Sequence, residues 1–407
     1  MTETAAAPVT TALNRHVATV QPSATLAVSA RAKALKREGK DVIALSAGEP
    51  DFDTPAPIVE AAHQALRDGF THYTPNPGTP ELREAAARKL REENGLDAEA
   101  SRVICSNGAK QSVAQAILAV CGPGDEVLIP APYWVSYPEM ARLAGATPVV
   151  VKARVADGYR LTPKALAGAL TERTRVVLLN SPSNPTGAVY APDEIRALAD
   201  VLRGHPRALV VSDEIYEKVI FDAEHLSIGS LPGMAGRTMT INGFSKAYAM
   251  TGWRLGYACG PAWWTGAMAT IQSQITSGPS SISQRAGEAA LAMDPGPIRE
   301  MVAAFRERRD ALLGRLRALD GVACPTPEGA FYLFPDVSAY YGTRTASGAE
   351  IGGSADLCLY LLEEHGVALV PGVAFGDDDG VRISYAAGMD ALMAAADRIE
   401  AGLAALA

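Results

Sequence analysis

The sequence predicts an α/β fold: a large domain on a mainly parallel sheet between helices, joined to a smaller α+β domain. Three observations carry this. Between residues 103 and 216 short apolar runs alternate with helical stretches, the pattern of a parallel sheet wrapped by helices. Beyond residue 297 the alternation gives way to isolated short strands and longer helices. The 407 residues exceed one ordinary core, while 48% hydrophobic and 20% charged content is that of a globular chain. The expected division is a mobile tail over 1–12, an N-terminal segment over 13–55 that joins the small domain, a large domain over 56–296 and a small domain over 297–407.

In chain order, residues 15–20 and 23–37 read as helical, with Leu26, Ala30 and Leu35 on one side and Lys and Arg on the other. A short strand over 42–45 enters the turn cluster Ser46-Ala47-Gly48-Glu49-Pro50-Asp51-Phe52-Asp53-Thr54-Pro55, whose end is placed to cap a helix running to Leu66. A second irregular loop spans 71–78, and Thr79-Pro80-Glu81 opens a charged helix to about Glu93. Strands follow at 102–105, 126–130, 148–151, 175–180, 208–212, 238–241 and 256–259. Helices are read at 108–120, 135–143, 163–170, 192–202, 262–274, 281–293 and 297–319. The last places Arg306, Glu307, Arg308 and Arg309 on a solvated face. Strands at 330–334, 367–370 and 381–385, with helices at 355–365 and 390–406, complete the chain.

Composition excludes several classes. A net charge of −8 and pI near 5.4 oppose nucleic acid as the main partner. A DNA-binding regulator using this fold as a binding module would carry a basic domain ahead of it, whereas the leader here is about a dozen weakly charged residues. The five cysteines are scattered without a C-x-x-C pair, which favours reduced thiols and a cytoplasmic setting over disulfides or zinc. The six histidines show no metal-ligand spacing, so no metal is expected. The N-terminus carries Glu3 and neither a basic nor a long apolar region, unlike a secretion signal. No apolar run approaches the ~18 residues of a membrane span.

The chemistry lies at the strand ends. Lys246, in Asn242-Gly243-Phe244-Ser245-Lys246-Ala247-Tyr248, stands between two apolar runs among small and aromatic residues, with Arg254 eight positions on. A lysine that must lose its proton and act as a nucleophile needs such surroundings. Ser106-Asn107-Gly108-Ala109-Lys110 reads either as a plain strand-to-helix turn or as an anion cradle. The cation Lys110 in a first helical turn favours the second reading, since the helix dipole there prefers negative charge. Trp134 is a core residue or a stacking platform. Asn180-Ser181-Pro182-Ser183-Asn184-Pro185-Thr186-Gly187 is a rigid loop after a buried strand. Asp213, ending another apolar strand before Tyr216, is costly to bury unless paired, with capping of the next turn as its alternative. Gly48 permits close backbone approach. Arg382 is a lone cation in an apolar strand, suited to a carboxylate ligand or to an ordinary ion pair.

The order and wording of these motifs resemble the pyridoxal-phosphate-dependent class I aminotransferases of fold type I, from Leu13 to the C-terminus. The similarity is greatest to the bacterial aspartate branch, through Ala47-Gly48-Glu49-Pro50-Asp51-Phe52, Pro132-Tyr133-Trp134-Val135-Ser136-Tyr137 and Met250-Thr251-Gly252-Trp253-Arg254. The resemblance implies a seven-stranded main sheet and pyridoxal 5'-phosphate attached to Lys246. It further implies that Gly108, Ala109, Lys110, Ser245 and Arg254 bind the cofactor, that Trp134 stacks on its ring, that Asn184 and Tyr216 face its phenolic oxygen, and that Asp213 pairs with its ring nitrogen. Substrate would be held by Gly48, Trp134, Asn184 and Arg382, with Lys110 and Thr25 on a distal carboxylate. Tyr73 would reach the phosphate of a neighbouring subunit, making a homodimer with shared sites. The implied reaction is transamination of aspartate with 2-oxoglutarate. Another amino-donor preference (alanine, aromatic or prephenate) or a C–S lyase on the same fold are the alternatives. Two positions depart from the pattern: Gly243 replaces a frequent serine, with Ser245 or backbone as the substitute. Gln21 stands where prephenate-using relatives have lysine.

Overall fold

The computed structural model describes residues 13–406, and the tail expected over 1–12 lies outside the described residues. Seven strands form the main sheet, from one edge to the other Val103–Ser106, Gly256–Cys259, Thr238–Gly243, Leu209–Asp213, Thr174–Asn180, Glu126–Ala131 and Thr147–Lys152. Gly256–Cys259 runs antiparallel to both neighbours, and every other adjacent pair is parallel. Alternate side chains serve two cores. Val127, Ile129, Val176, Leu178, Val211 and Ile241 join one cluster, while Leu128, Val177, Leu179 and Val210 join another on the opposite face. A parallel sheet covered on both faces needs this near-continuous apolar sequence.

The smaller part holds a three-stranded antiparallel sheet in the order Val370–Pro371, Val381–Ser384, Tyr332–Leu333, packed with the helices Gly296–Arg317, Ser354–Glu363 and Met389–Ala404. The strand expected over 367–370 is two short pieces. Val367–Ala368 pairs in parallel with Ile43–Ala44, and Val370–Pro371 pairs with Val381–Ser384. The N-terminal segment is thereby stitched to the C-terminal part. Helix Ala24–Arg37 seals that join by burying Ala32 and Leu35 against Val42, Leu362 and Ala368.

Three local expectations are corrected. Leu26 is 71% exposed and borders the central cavity, because the helix buries the Ala32/Leu35 side instead. Thr54 does not cap helix Ala56–Arg67. Its hydroxyl donates to the Ala249 carbonyl and accepts from Trp253 Nε1, tying the turn cluster to the lysine loop. Arg309 is buried rather than solvated, donating to the Pro327 carbonyl and pairing with Asp222 and Asp310.

Candidate active site

A cavity of about 640 Å³ opens at the carboxyl ends of the parallel strands, where ligand sites of open α/β sheets lie. It is bordered by Thr25, Gly48, Ala109, Lys110, Trp134, Asn184, Asp213, Tyr216, Ser245, Lys246, Arg254 and Arg382. Gly108 stands immediately behind Arg254. Tyr73 is not brought into the cavity of its own chain, being 99% exposed. Gln21 is also exposed, its backbone N–H donating to Glu139.

Lys246 follows strand Thr238–Gly243 and donates to the Gly48 carbonyl. Its amine lies 5.7 and 5.8 Å from the ring centres of Tyr216 and Phe331. Burial, then the nearby Arg382 charge, lowers its pKa to about 8, so a useful fraction is uncharged near neutral pH. The frequent serine three residues earlier is Gly243, paired in register with Gly256. A Cβ there would sit 3.0 Å from the Gly256 Cα, so the tight crossing itself disfavours a larger side chain. Ser245 supplies a hydroxyl at the cavity wall.

Asp213 ends strand Leu209–Asp213 beside Asn180 and is buried. Its Oδ2 accepts from the Tyr137 hydroxyl at 2.8 Å and its Oδ1 from the Ile215 N–H at 3.3 Å. Burial raises its pKa to about 6 despite those donors. The carboxylate therefore caps the turn in part, yet its oxygens also border the cavity, where a cationic ring would relieve the desolvation. Trp134 likewise serves two ends. It packs edge-on to Tyr137 at 5.2 Å and carries the Lys110 amine 4.9 Å over its face.

The cradle expected at Gly108 has a specific geometry. Gly108 has φ +85°, and a Cβ on it would meet Arg254 Nη2 at 2.4 Å. Only glycine lets the guanidinium lie against this turn. Arg254 donates to the Thr251 and Asn107 carbonyls. No side chain caps the following helix, Ala109–Leu118. Burial and Arg254 together lower the Lys110 pKa. Two cations thus converge on an uncapped helix start, the composition of a phosphate site.

Arg382 is 2% exposed. Its neighbours Val381 and Ile383 belong to the core, so the strand's period of two turns Arg382 the other way, to the cavity. Nη1 donates to Asn184 Oδ1 at 3.0 Å and Nη2 to the Ser46 carbonyl at 2.7 Å, while Nε is buried without a partner. The ring of Tyr332 lies 4.7 Å beneath it. Among the described residues, Lys110, Lys246, Arg254 and Arg382 make no ion pair with a carboxylate. Arg382 thus lacks an ion pair among the described residues, and a buried guanidinium without a counterion is suited to a carboxylate ligand.

Four residues of this site were not legible as such in sequence. Tyr137 holds Asp213, and Tyr332 stacks under Arg382 while its hydroxyl lies 2.8 Å from that of Tyr216. Lys33 and Lys36, expected on a solvated side of their helix, border the cavity. A faint signal existed for Tyr137, which stands one helical turn past Trp134.

A lysine with a lowered pKa, a buried carboxylate and an arginine without an ion pair thus face one cavity at the carboxyl ends of a mainly parallel sheet, an arrangement suited to transferase chemistry. Residues 40–399 match the family described as aminotransferase class I and II, and the chain belongs to it. It is 55% identical over 395 residues to the bifunctional aspartate aminotransferase and glutamate/aspartate-prephenate aminotransferase of Petunia hybrida, covering 96% of this chain and 82% of that protein. The crystal structure of the aspartate aminotransferase from Rhizobium meliloti matches with a TM-score of 0.94 at 45% identity, covering 97% of this chain and all of that one. The structure of the Thermus thermophilus aspartate aminotransferase with maleate matches with a TM-score of 0.91 at 43% identity, covering 96% and 99%.

Proposed function

We propose that this chain is a pyridoxal 5'-phosphate-dependent aspartate aminotransferase. It passes the amino group of L-aspartate to 2-oxoglutarate in two half-reactions, yielding oxaloacetate and L-glutamate. The observation that carries the reading is Arg382, buried and without a counterion, facing the same cavity as Lys246 and Asp213. The residues present fit the cofactor: two unpaired cations at an uncapped helix start suit its phosphate, and Asp213 suits a protonated ring nitrogen. When bound, pyridoxal 5'-phosphate supplies an electrophilic aldehyde carbon and a ring that accepts the electron pair left at Cα.

The protein's own groups divide the remaining work. Arg254, Lys110, Ser245 and the N–H groups after Gly108 bind phosphate. Asp213, held by Tyr137, keeps the ring nitrogen protonated. Asn184 and Tyr216 hydrogen-bond the phenolic oxygen, and Trp134 covers the ring. Arg382, with Asn184 and the Gly48 backbone, orients the substrate's α-carboxylate. Lys110 and Thr25 meet the distal carboxylate, which fits the dicarboxylate maleate of the Thermus structure. Lys246 Nζ takes the proton from Cα and later releases it, as general base and then general acid. Water is limited by the aromatic walls and by helix Ala24–Arg37.

In this reading the active enzyme is a homodimer in which Tyr73 reaches the phosphate of the partner site, which suits a fully exposed aromatic residue. A cytoplasmic setting fits the five free cysteines. The test is trapping. Borohydride-treated holoenzyme should carry its reduced adduct on the peptide containing Lys246, read by mass spectrometry, and Lys246→Ala should carry none. An adduct persisting in that variant would refute the assignment.

A further inference from the structure

Helix Ala24–Arg37 places Thr25, Ser29, Lys33 and Lys36 along one side, and all four border the cavity. The adjoining side, with Ala32 and Leu35, pins the helix to the small domain. Other cations of this helix have partners. Arg31 pairs with Glu363 at 3.0 Å, and Arg37 Nε donates to the Lys33 carbonyl at 3.3 Å. Lys33 and Lys36 are exposed, and among the described residues neither amine has a carboxylate partner. Among the described residues no ion pair accounts for them.

Their position is specific. Lys33 lies one turn along from Ser29, whose Oγ is 3.3 Å from Ser46 Oγ. The Ser46 carbonyl in turn accepts from Arg382. The two lysines, one and about two turns beyond Ser29, are exposed where they line the cavity and so stand at its solvent rim. The field there opposes that of the whole molecule. The chain carries a net charge of −8, yet six lining side chains are Lys or Arg against two acids, Glu49 and Asp213. An acidic protein repels an anion at a distance, and a cationic mouth reverses that near the cleft.

We propose that Lys33 and Lys36 form an outer carboxylate dock that captures dicarboxylic amino and 2-oxo acids and passes them inward to Arg382. The inference rests on the dicarboxylate reading above and adds a step to it. Exposed lysines contribute little to the stability of a bound state. Rim charges act on the rate of arrival and on its salt dependence.

The test uses holoenzyme and succinate, an unreactive dicarboxylate, followed by stopped-flow absorbance of the bound cofactor. In Lys33→Gln/Lys36→Gln the association rate constant should fall roughly three- to tenfold at ~20 mM salt and converge with the unsubstituted enzyme by ~500 mM, with the dissociation rate unchanged. Lys33→Glu/Lys36→Glu should lower association further. The same association rate and salt slope in all three proteins would overturn the dock. Faster dissociation with unaltered association would also overturn it, since the lysines would then be holding bound ligand. If the unsubstituted holoenzyme neither binds succinate nor transaminates aspartate, the dicarboxylate reading falls and the dock with it, which is distinguishable from failure of the lysines alone.

Discussion

Replacing Lys110 with alanine tests substrate choice at one atom. A charge pair about 4 Å apart is worth ~1 kcal/mol in water and ~4 kcal/mol at an effective dielectric of about 20. The Lys110 side chain is desolvated on the cavity side but keeps contact with solvent, so screening applies and the lower half of that range is taken. Roughly 2 kcal/mol corresponds to a ~30-fold loss of kcat/KM for aspartate. The amine also sits 4.9 Å from the Trp134 ring, a contact worth about 0.5–1 kcal/mol whichever substrate is present. Comparison with alanine, which lacks the distal carboxylate, cancels that shared part. Steady-state kcat/KM should be measured for both donors at fixed 2-oxoglutarate. Aspartate should lose about 30-fold more than alanine. Equal losses would refute the reasoning and leave Lys110 with a role toward cofactor alone.

Two further outcomes follow from the site. The pKa of Lys246 is lowered to about 8, so the neutral nucleophile accumulates as pH rises through that value and saturates about one unit above it. Cofactor capture by the cofactor-free protein should accelerate with a midpoint near pH 8 and level off above about pH 9, whereas a rate still climbing steeply between about pH 9 and 10 would indicate an unperturbed amine. In Gly108→Ala the new Cβ displaces the Arg254 guanidinium, and equilibrium dialysis should show pyridoxal 5'-phosphate affinity reduced at least ~tenfold in a folded protein. Unchanged affinity would mean that Arg254 does not serve the phosphate.

Much of this architecture is legible in sequence for a definable reason. The main strands are apolar runs flanked by turn residues, and each chemical residue stands just beyond such a run. Asp213 after Leu209–Val210–Val211 and Asn184 after Thr174–Asn180 are examples. The strand reading also put Arg382 alone among core neighbours, and the structure buries it there. What could not be read depends on contacts between distant segments. Tyr137 meets Asp213 across 76 residues, and Tyr332 meets Tyr216 across 116. Arg309 looked like one charge in a solvated run because its acceptor, the Pro327 carbonyl, belongs to another stretch of chain. Thr54 looked like a cap because local pattern cannot reveal that Ala249 and Trp253 fold against it. Lys33 and Lys36 share an amphipathic pattern with any surface helix, and only the cavity beside them separates the two cases.

Arg382 joins three parts of the molecule that are far apart in sequence: its own strand Val381–Ser384, Asn184 on the loop after a main-sheet strand, and Ser46. On the proposed reading, a substrate carboxylate would share this guanidinium with two acceptors that already anchor neighbouring pieces of chain. A truncating substitution at this position would remove a receptor and a clasp together. Its phenotype is therefore best partitioned with added guanidinium or a lysine replacement before being credited to recognition alone.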